Sequence, residues 1–380
     1  MRRKLYPLLF FVLVAAAFFG CKDAFSPKVN EANKNLLVVE GFINTGNDST
    51  IIKLNRTAQV ADKKVLNPEG GATVTVESET NQAFQLPEIQ KGIYAVSSLQ
   101  LNSKAKYRLR IRTANNSVYL SDLVESKESP AIDEVNSKVV ANGLQVYVST
   151  HDASNTTRYY RWEYTDTWIF RVAQESTLMY DGFGISPRNN NIYQCWGTAN
   201  SSTVIIGSTA KLQNDVVFQQ PITLLDHHAE RLSERYSILV KQYAITKEAY
   251  QFYEELKKNT ESLGSIFDAQ PSEIKGNIHN INAPAEPVIG YIGAGTVQKK
   301  RIFISRNELP LTFFTIRNPE CATENIVEIR RYEEYAGFFA SGENIPIAVA
   351  PAPGNRYYTA SRFCADCTLR GTNKRPDFWQ

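Results

Sequence analysis

The chain has 380 residues, with 42 Lys or Arg, 39 Asp or Glu, 11% aromatics and only two methionines. Its three surplus cations, Arg2, Arg3 and Lys4, all sit at the start, so the remainder carries 39 charges of each sign. A neutral body lacks the basic excess that a nucleic-acid partner needs, and the length allows two domains or three.

Residues 5–19 form an apolar run that includes Pro7. It falls short of the ~18–20 residues that span a bilayer as a helix. A basic start, a short apolar run and a small residue before a cysteine make residues 1–20 a secretory signal peptide. Gly20-Cys21, preceded by Ala15-Ala16-Ala17, makes it a bacterial lipoprotein leader, with Phe18 and Phe19 departing from the usual lipobox. Cys21 is then the lipidation site, and the chain is held at a membrane through its N-terminal lipid. At ~0.8 kcal/mol per buried CH2, one acyl chain binds weakly and several bind durably. Residues 21–35, polar and containing Pro27, read as a tether.

Residues 36–43 (LLVVEGFI) and 49–54 flank a turn cluster at 44–48, which is a hairpin pattern. After Gly70-Gly71, Ala72, Val74 and Val76 alternate with polar residues. Tyr107, Leu109 and Ile111 alternate with Arg108, Arg110 and Arg112 in the same way. Period-two alternation marks strands with one dry face, so the arginine ladder reads as a solvated outer face. Residues 36–128 are expected to be an N-terminal β-sandwich, with a seam at Ser129-Pro130.

Residues 129–380 read as a second β-rich domain. Strands are expected at 131–140 and 144–150, then over 159–172 (YYRWEYTDTWIFRV). Tyr160, Trp162 and Tyr164 share one face there, as in the central core strand of a sandwich. The competing reading is a sugar- or peptide-binding platform, with Trp162, Trp168 and Trp196 as ligand-binding candidates. Residues 176–202, with Gly182, Gly184 and Asn189-Asn190-Asn191, read as a long loop pinned by Cys195-Trp196. Strands follow at 216–225 and 236–245. Thr246 then fits an N-cap, and Ala249, Phe252, Tyr253 and Leu256 recur at helical spacing toward Gly264. One helix over about 247–263 is expected, then strands at 288–293 and 301–305 and an irregular C-terminal tail. The fold class is mainly β: two β-sandwiches of immunoglobulin or fibronectin type, the second elaborated by the helix and tail.

Cys195, Cys321, Cys364 and Cys367 remain after Cys21. An even number in an oxidising compartment reads as disulfides, in any of three pairings. Cys364-Ala365-Asp366-Cys367 has the spacing of a redox or zinc motif, without a βαβ setting or a second ligand pair. The 355–379 tail holds Tyr357, Tyr358, Phe363, Phe378 and Trp379, and disordered segments are depleted in aromatics. It is expected to fold back over the second domain, stapled by disulfides, with Phe378 and Trp379 packed. The alternative is a local Cys364–Cys367 bridge.

No G-x-S-x-G, P-loop or H-E-x-x-H pattern occurs. His227-His228, with Asp226 and Glu230 nearby, is the only histidine cluster, and adjacent residues of a strand point apart. Asp268 and Glu273 flank Pro271 in the manner of a glycosidase pair, with nothing placing a cleft between them. No catalytic residue, metal ligand or cofactor is assigned, and the chain is not expected to be an enzyme.

Several stretches carry a family resemblance: the leader with Cys21, 37–41 (LVVEG), 159–164 (YYRWEY), Cys195-Trp196, 264–268 (GSIFD) with Gln270-Pro271, Gly276-Asn277, and 364–379 (CADCTLRGTNKRPDFW). The chain resembles the outer-membrane lipoproteins of Bacteroidetes known as domain of unknown function 4249. Lys22-Asp23 also resembles part of the surface-export signal of such lipoproteins. The resemblance implies an outer-membrane, lipid-anchored location, facing the periplasm or the cell surface. It also implies a non-enzymatic binding or assembly role beside a TonB-dependent receptor in nutrient uptake. The competing function is a surface-exposed glycan- or peptide-processing hydrolase, motivated by the tryptophans and the 176–202 insertion.

Overall fold

A computed structural model describes residues 35–58, 67–261, 274–315, 319–321, 325–328, 332–351 and 356–379. The leader, Cys21, most of the tether, Gly264, Asp268 and Glu273 lie outside the described residues.

The β-branched and aromatic alternations form strands with one buried face. Leu37–Asn44 pairs antiparallel with Thr50–Arg56 and buries Leu37, Val39, Ile43, Ile52 and Leu54. Thr73–Ser78 pairs with Lys106–Arg112, burying Val74, Val76, Tyr107, Leu109 and Ile111. The arginine ladder faces outward and is neutralised locally. Arg108 and Arg110 meet Glu77 at 2.7 and 3.7 Å, and Arg112 donates to Asn116.

These strands belong to an arrangement of eleven among the described residues, wrapped around one core. Two of the eleven come from beyond the expected seam. Ile278–Asn280 pairs with Val118–Ser121, and Gly293–Gly295 runs parallel between Leu37–Asn44 and Val124–Lys127. The division at 128 therefore omits a return of the chain, whose Ile278, Val288, Ile292 and Ala294 fill the first core. The 288–293 strand is shifted to 293–295, with 289 held by a single bridge to Val38.

Gly290 makes that return possible. Its φ is +135°, and an added Cβ would lie 2.0 Å from the Val39 carbonyl oxygen. Beside it Val39 N donates to Ile289 O at 2.8 Å, and Ile289 N to Leu37 O at 3.0 Å. Gly290→Ala is expected to cost about 2 kcal/mol or more, from backbone strain and overlap. Denaturant unfolding and hydrogen exchange at Val39 and Ile289 measure it. Unchanged stability and protection would show that the return segment is dispensable.

The second sandwich stacks a three-stranded sheet on a five-stranded one. The first comprises Ile132–Val140, Gly143–His151 and Val216–Leu225. The second centres on Tyr159–Arg171, flanked by Arg235–Ala244, Val297–Ser305, Gln194–Asn200 and Ile205–Ser208. The fold is thus mainly β, with two sandwich layers and a helix on the second. The 176–202 stretch is not simply a loop. It contains the hairpin Leu178–Tyr180/Ile185–Pro187 and the strand Gln194–Asn200, registered on Thr165 to Arg171. Gly197 lies opposite Trp168, where a Cβ would come within 2.5 Å of the indole. The tail opens on Arg356–Ser361, the middle strand of a small sheet with Asn325–Glu328 and Asn344–Val349.

The helix spans Lys247–Glu261, and Ala249 N donates to the Thr246 hydroxyl at 3.2 Å. Ala249 and Phe252 are its buried residues. Arg161 fastens it to the sheet, its guanidinium lying 4.6 and 4.7 Å from the ring centres of Tyr243 and Tyr253. The two sandwiches meet at Phe42, Tyr243 and Tyr291, with Phe42 edge-on to Tyr243 and Tyr291 against Phe252. Ser129 locks the seam: its N donates to Thr296 Oγ1, its Oγ to Gln242 O, and Ala244 N donates to its Oγ.

Candidate functional site

The four described cysteines form two bridges, Cys195–Cys367 and Cys321–Cys364. The local Cys364–Cys367 bridge and the free CxxC motif are thereby replaced by long-range staples. Cys195 rides on the Gln194–Asn200 strand, and Cys367 starts a short 3-10 turn. Beyond it the tail pairs with the strand: Trp196 N donates to Thr372 O at 2.8 Å, and Thr372 N to Trp196 O at 3.0 Å. Trp379 is buried, edge-on to Trp196 and Phe303. Phe378 corrects the expectation of packing for both rings: it stays 40% exposed at the rim, with Arg301 3.5 Å from its ring centre. The turn that sends Trp379 inward leaves its neighbour outside.

Trp162, Trp168 and Trp196 do not form a ligand platform. Trp162 is 1% exposed, stacked on Tyr160, and donates from Nε1 to Gln242 Oε1 at 2.9 Å. Trp196 lies beneath the tail. Trp168 pairs with Gly197 while Trp196 pairs with Ile169, so Trp168 and Trp196 point to opposite faces of the sheet. Trp168 is half-buried under Arg231, which also reaches Asp166 in the core. Burial pushes the Asp166 carboxyl up from its ordinary range.

His227 and His228 follow the end of a strand in a turn, which brings their rings together, centroids 4.1 Å apart. They pack against Phe313 and Phe314, and His228 Nδ1 lies 2.9 Å from Phe314 O. Asp226 accepts from His228 N, and Glu230 pairs with Arg370 at 3.1 Å. Among the described residues no three His, Cys, Asp or Glu side chains gather as a metal set.

Among the described residues two depressions stand out. The larger, about 890 Å³, opens at the junction of the sandwiches. Residues 122–127 form one wall, the start of the helix another, and 275–277 of the return segment a third. Lys106, Lys127, Arg158, Lys247 and Lys275 face Asp122, Glu125, Glu248 and Glu255, five cations against four acids. Lys127 bonds Glu125 at 2.9 Å and holds its carboxyl below the usual range. Burial pushes the Tyr291 phenol up. The lining has threonine hydroxyls, lysines and four carboxylates but no histidine or cysteine. Such a surface can bind a polar, charge-mixed partner.

The smaller depression, about 440 Å³, lies beside the Gln194–Asn200 strand and is lined by Arg188, Asn189, Asn190, Asn191, Tyr193 and Glu175, among others. Glu175 is its only acid, whereas carboxylate-based glycoside cleavage uses two. Sequence reasoning saw the asparagines as loop composition and passed over Arg188. The hairpin Leu178–Tyr180/Ile185–Pro187, which leads into them, is the signal it lacked.

The model of a family described as "Domain of unknown function (DUF4249)" matches residues 22–301. No curated protein matches the chain. Among solved structures, a two-domain fibronectin type III segment of chicken tenascin is similar at 11% identity and a TM-score of 0.15, covering 55% of this chain and 90% of that one. The chicken interferon gamma receptor alpha chain is similar at 11% identity and a TM-score of 0.16, covering 56% and 90% respectively.

Proposed function

We propose a function on the premise that the chain belongs to the DUF4249 family, a domain of unknown function: it is an outer-membrane lipoprotein that binds rather than transforms its partner. Cys21 carries the lipid, the tether of residues 21–35 spaces the body from the bilayer, and the partner is a TonB-dependent outer-membrane receptor. The junction cleft is the observation that carries the reading. It is wide and lined by charges of both signs, five basic and four acidic side chains, with neither histidine nor cysteine in its lining. The Ser129 hydrogen bonds and the Phe42–Tyr243 contact keep its walls in fixed relation, so a partner meets a preorganised surface.

Purification of the membrane-extracted protein in mild detergent tests the partner. An outer-membrane β-barrel should co-elute, and charge reversal at Lys247 and Lys275 should release it. Elution without a barrel, together with unchanged nutrient uptake in a deletion strain, would contradict the proposal.

A further inference from the structure

Arg188 is half-buried in the smaller depression. Its Nε donates to Ser176 Oγ at 3.0 Å and its Nη1 to Asn190 Oδ1 at 3.4 Å. No carboxylate pairs with it among the described residues. Asp366, the acid whose charge it feels, is already engaged by Arg362 at 2.9 Å and by Thr368. Burial pushes the guanidinium down from its ordinary value, so this cation is partly stripped of water and has no carboxylate within ion-pair distance among the described residues. A guanidinium has five N–H donors in a planar fork, and only two are used here.

The surroundings are fixed in advance. Asn191 Oδ1 accepts from Tyr193 N and Gln194 N at 2.9 and 3.1 Å. The Asn191 carbonyl accepts from Asn373 Nδ2 at 2.8 Å, and the Ile192 carbonyl from Cys367 N at 2.8 Å. The stapled tail therefore holds the asparagine loop rigid. On the other side Ser176 Oγ donates to Pro346 O and Thr177 Oγ1 to Ile347 O. The side-chain amide nitrogens of Asn189, Asn190 and Asn191 have no protein partner among the described residues. Hydroxyl-rich ligands are recognised by such amides.

The geometry points to a binding site for an acidic saccharide, with a uronate carboxylate on Arg188 and ring hydroxyls on the amides of Asn189, Asn190 and Asn191. The volume of about 440 Å³ is within the usual small-ligand range. A peptide acid would satisfy Arg188 but leave the amides unpaired. Glu175, exposed in the lining, opposes the ligand's charge and sets the affinity below its ceiling. The site rests on the reading of the chain as a binder, and on neither its anchor nor its barrel partner.

Calorimetric titration of the full, detergent-solubilised chain with a galacturonate hexamer, and with the same hexamer fully methyl-esterified, tests the site. The acid form should bind at least about tenfold more tightly than the neutral ester, since a charge-assisted pair is the difference. Arg188→Gln should abolish that preference. Glu175→Gln, which alters an exposed side chain, should strengthen binding of the acid form, and it serves if Arg188→Gln fails to fold. Absent binding, equal binding of the two hexamers, or a glutamate peptide binding as tightly as the uronate would overturn the assignment. A failed barrel co-purification would leave this result standing, and the reverse holds too.

Discussion

Replacing Cys195 and Cys367 together by serine is expected to lower the unfolding free energy by about 5 kcal/mol, the largest single effect in the chain. The bridge joins residues 172 apart, and chain entropy lost from the unfolded state rises with loop length. Cys321–Cys364, with a separation of 43, should contribute about 4 kcal/mol by the same account. The longer staple also seats the tail, since the backbone pair between Trp196 and Thr372 and the bond from Cys367 N to Ile192 O lie beside it. Denaturant unfolding of the oxidised protein and the double variant gives the comparison. A difference below about 1 kcal/mol would mean that tail packing alone holds the end of the chain.

Trp162→Ala should cost about 3–5 kcal/mol, as large-to-small changes in a filled core do. The indole is buried, stacked on Tyr160 at 5.5 Å between ring centres, and lies against Gly207, where a Cβ would come within 2.9 Å of it. Its loss also leaves Gln242 Oε1 without its donor in a buried site. Trp162→Phe keeps most of the volume and removes the donor and part of the ring, so it should cost less than the alanine change, about 1–3 kcal/mol. This ordering separates a core residue from a ligand platform, because a platform tryptophan would lose binding and keep stability. Both variants unfolding like the parent would restore the platform.

The strands that wrap the first core were legible because each has its own period: Val74 and Val76, and Tyr107, Leu109 and Ile111, are all buried. The helix was legible for the same reason, from the Thr246 cap and the face of Ala249 and Phe252. The returning strands were not. Ile278–Asn280 and Gly293–Gly295 have three residues each, too few for a period. Their partners lie far off in the chain, as where Asn282 accepts from Val118 N across 164 residues. Gln194–Asn200 was hidden by composition, since QCWGTAN has little of the β-branched character that marks strands. The need for disulfides could be read from compartment and count, but the pairing depended on where the tail runs. The core reading of Trp162 rested on alternation alone, because its partner, Gln242, is a tertiary neighbour that no local pattern shows. Arg188 is distinguished by having no paired carboxylate among the described residues, which no local sequence pattern records.

Membrane partition of the chain and of Cys21→Ser is the most direct test of a lipid-anchored binding protein. On the proposed reading Cys21 carries several acyl chains, which would hold the protein durably, at ~0.8 kcal/mol per buried CH2. The unaltered protein should sediment with the outer membrane and resist extraction by high salt, and Cys21→Ser should appear in the soluble fraction with its disulfides intact. A serine variant that still sediments, or an unaltered protein that is soluble, would contradict the account.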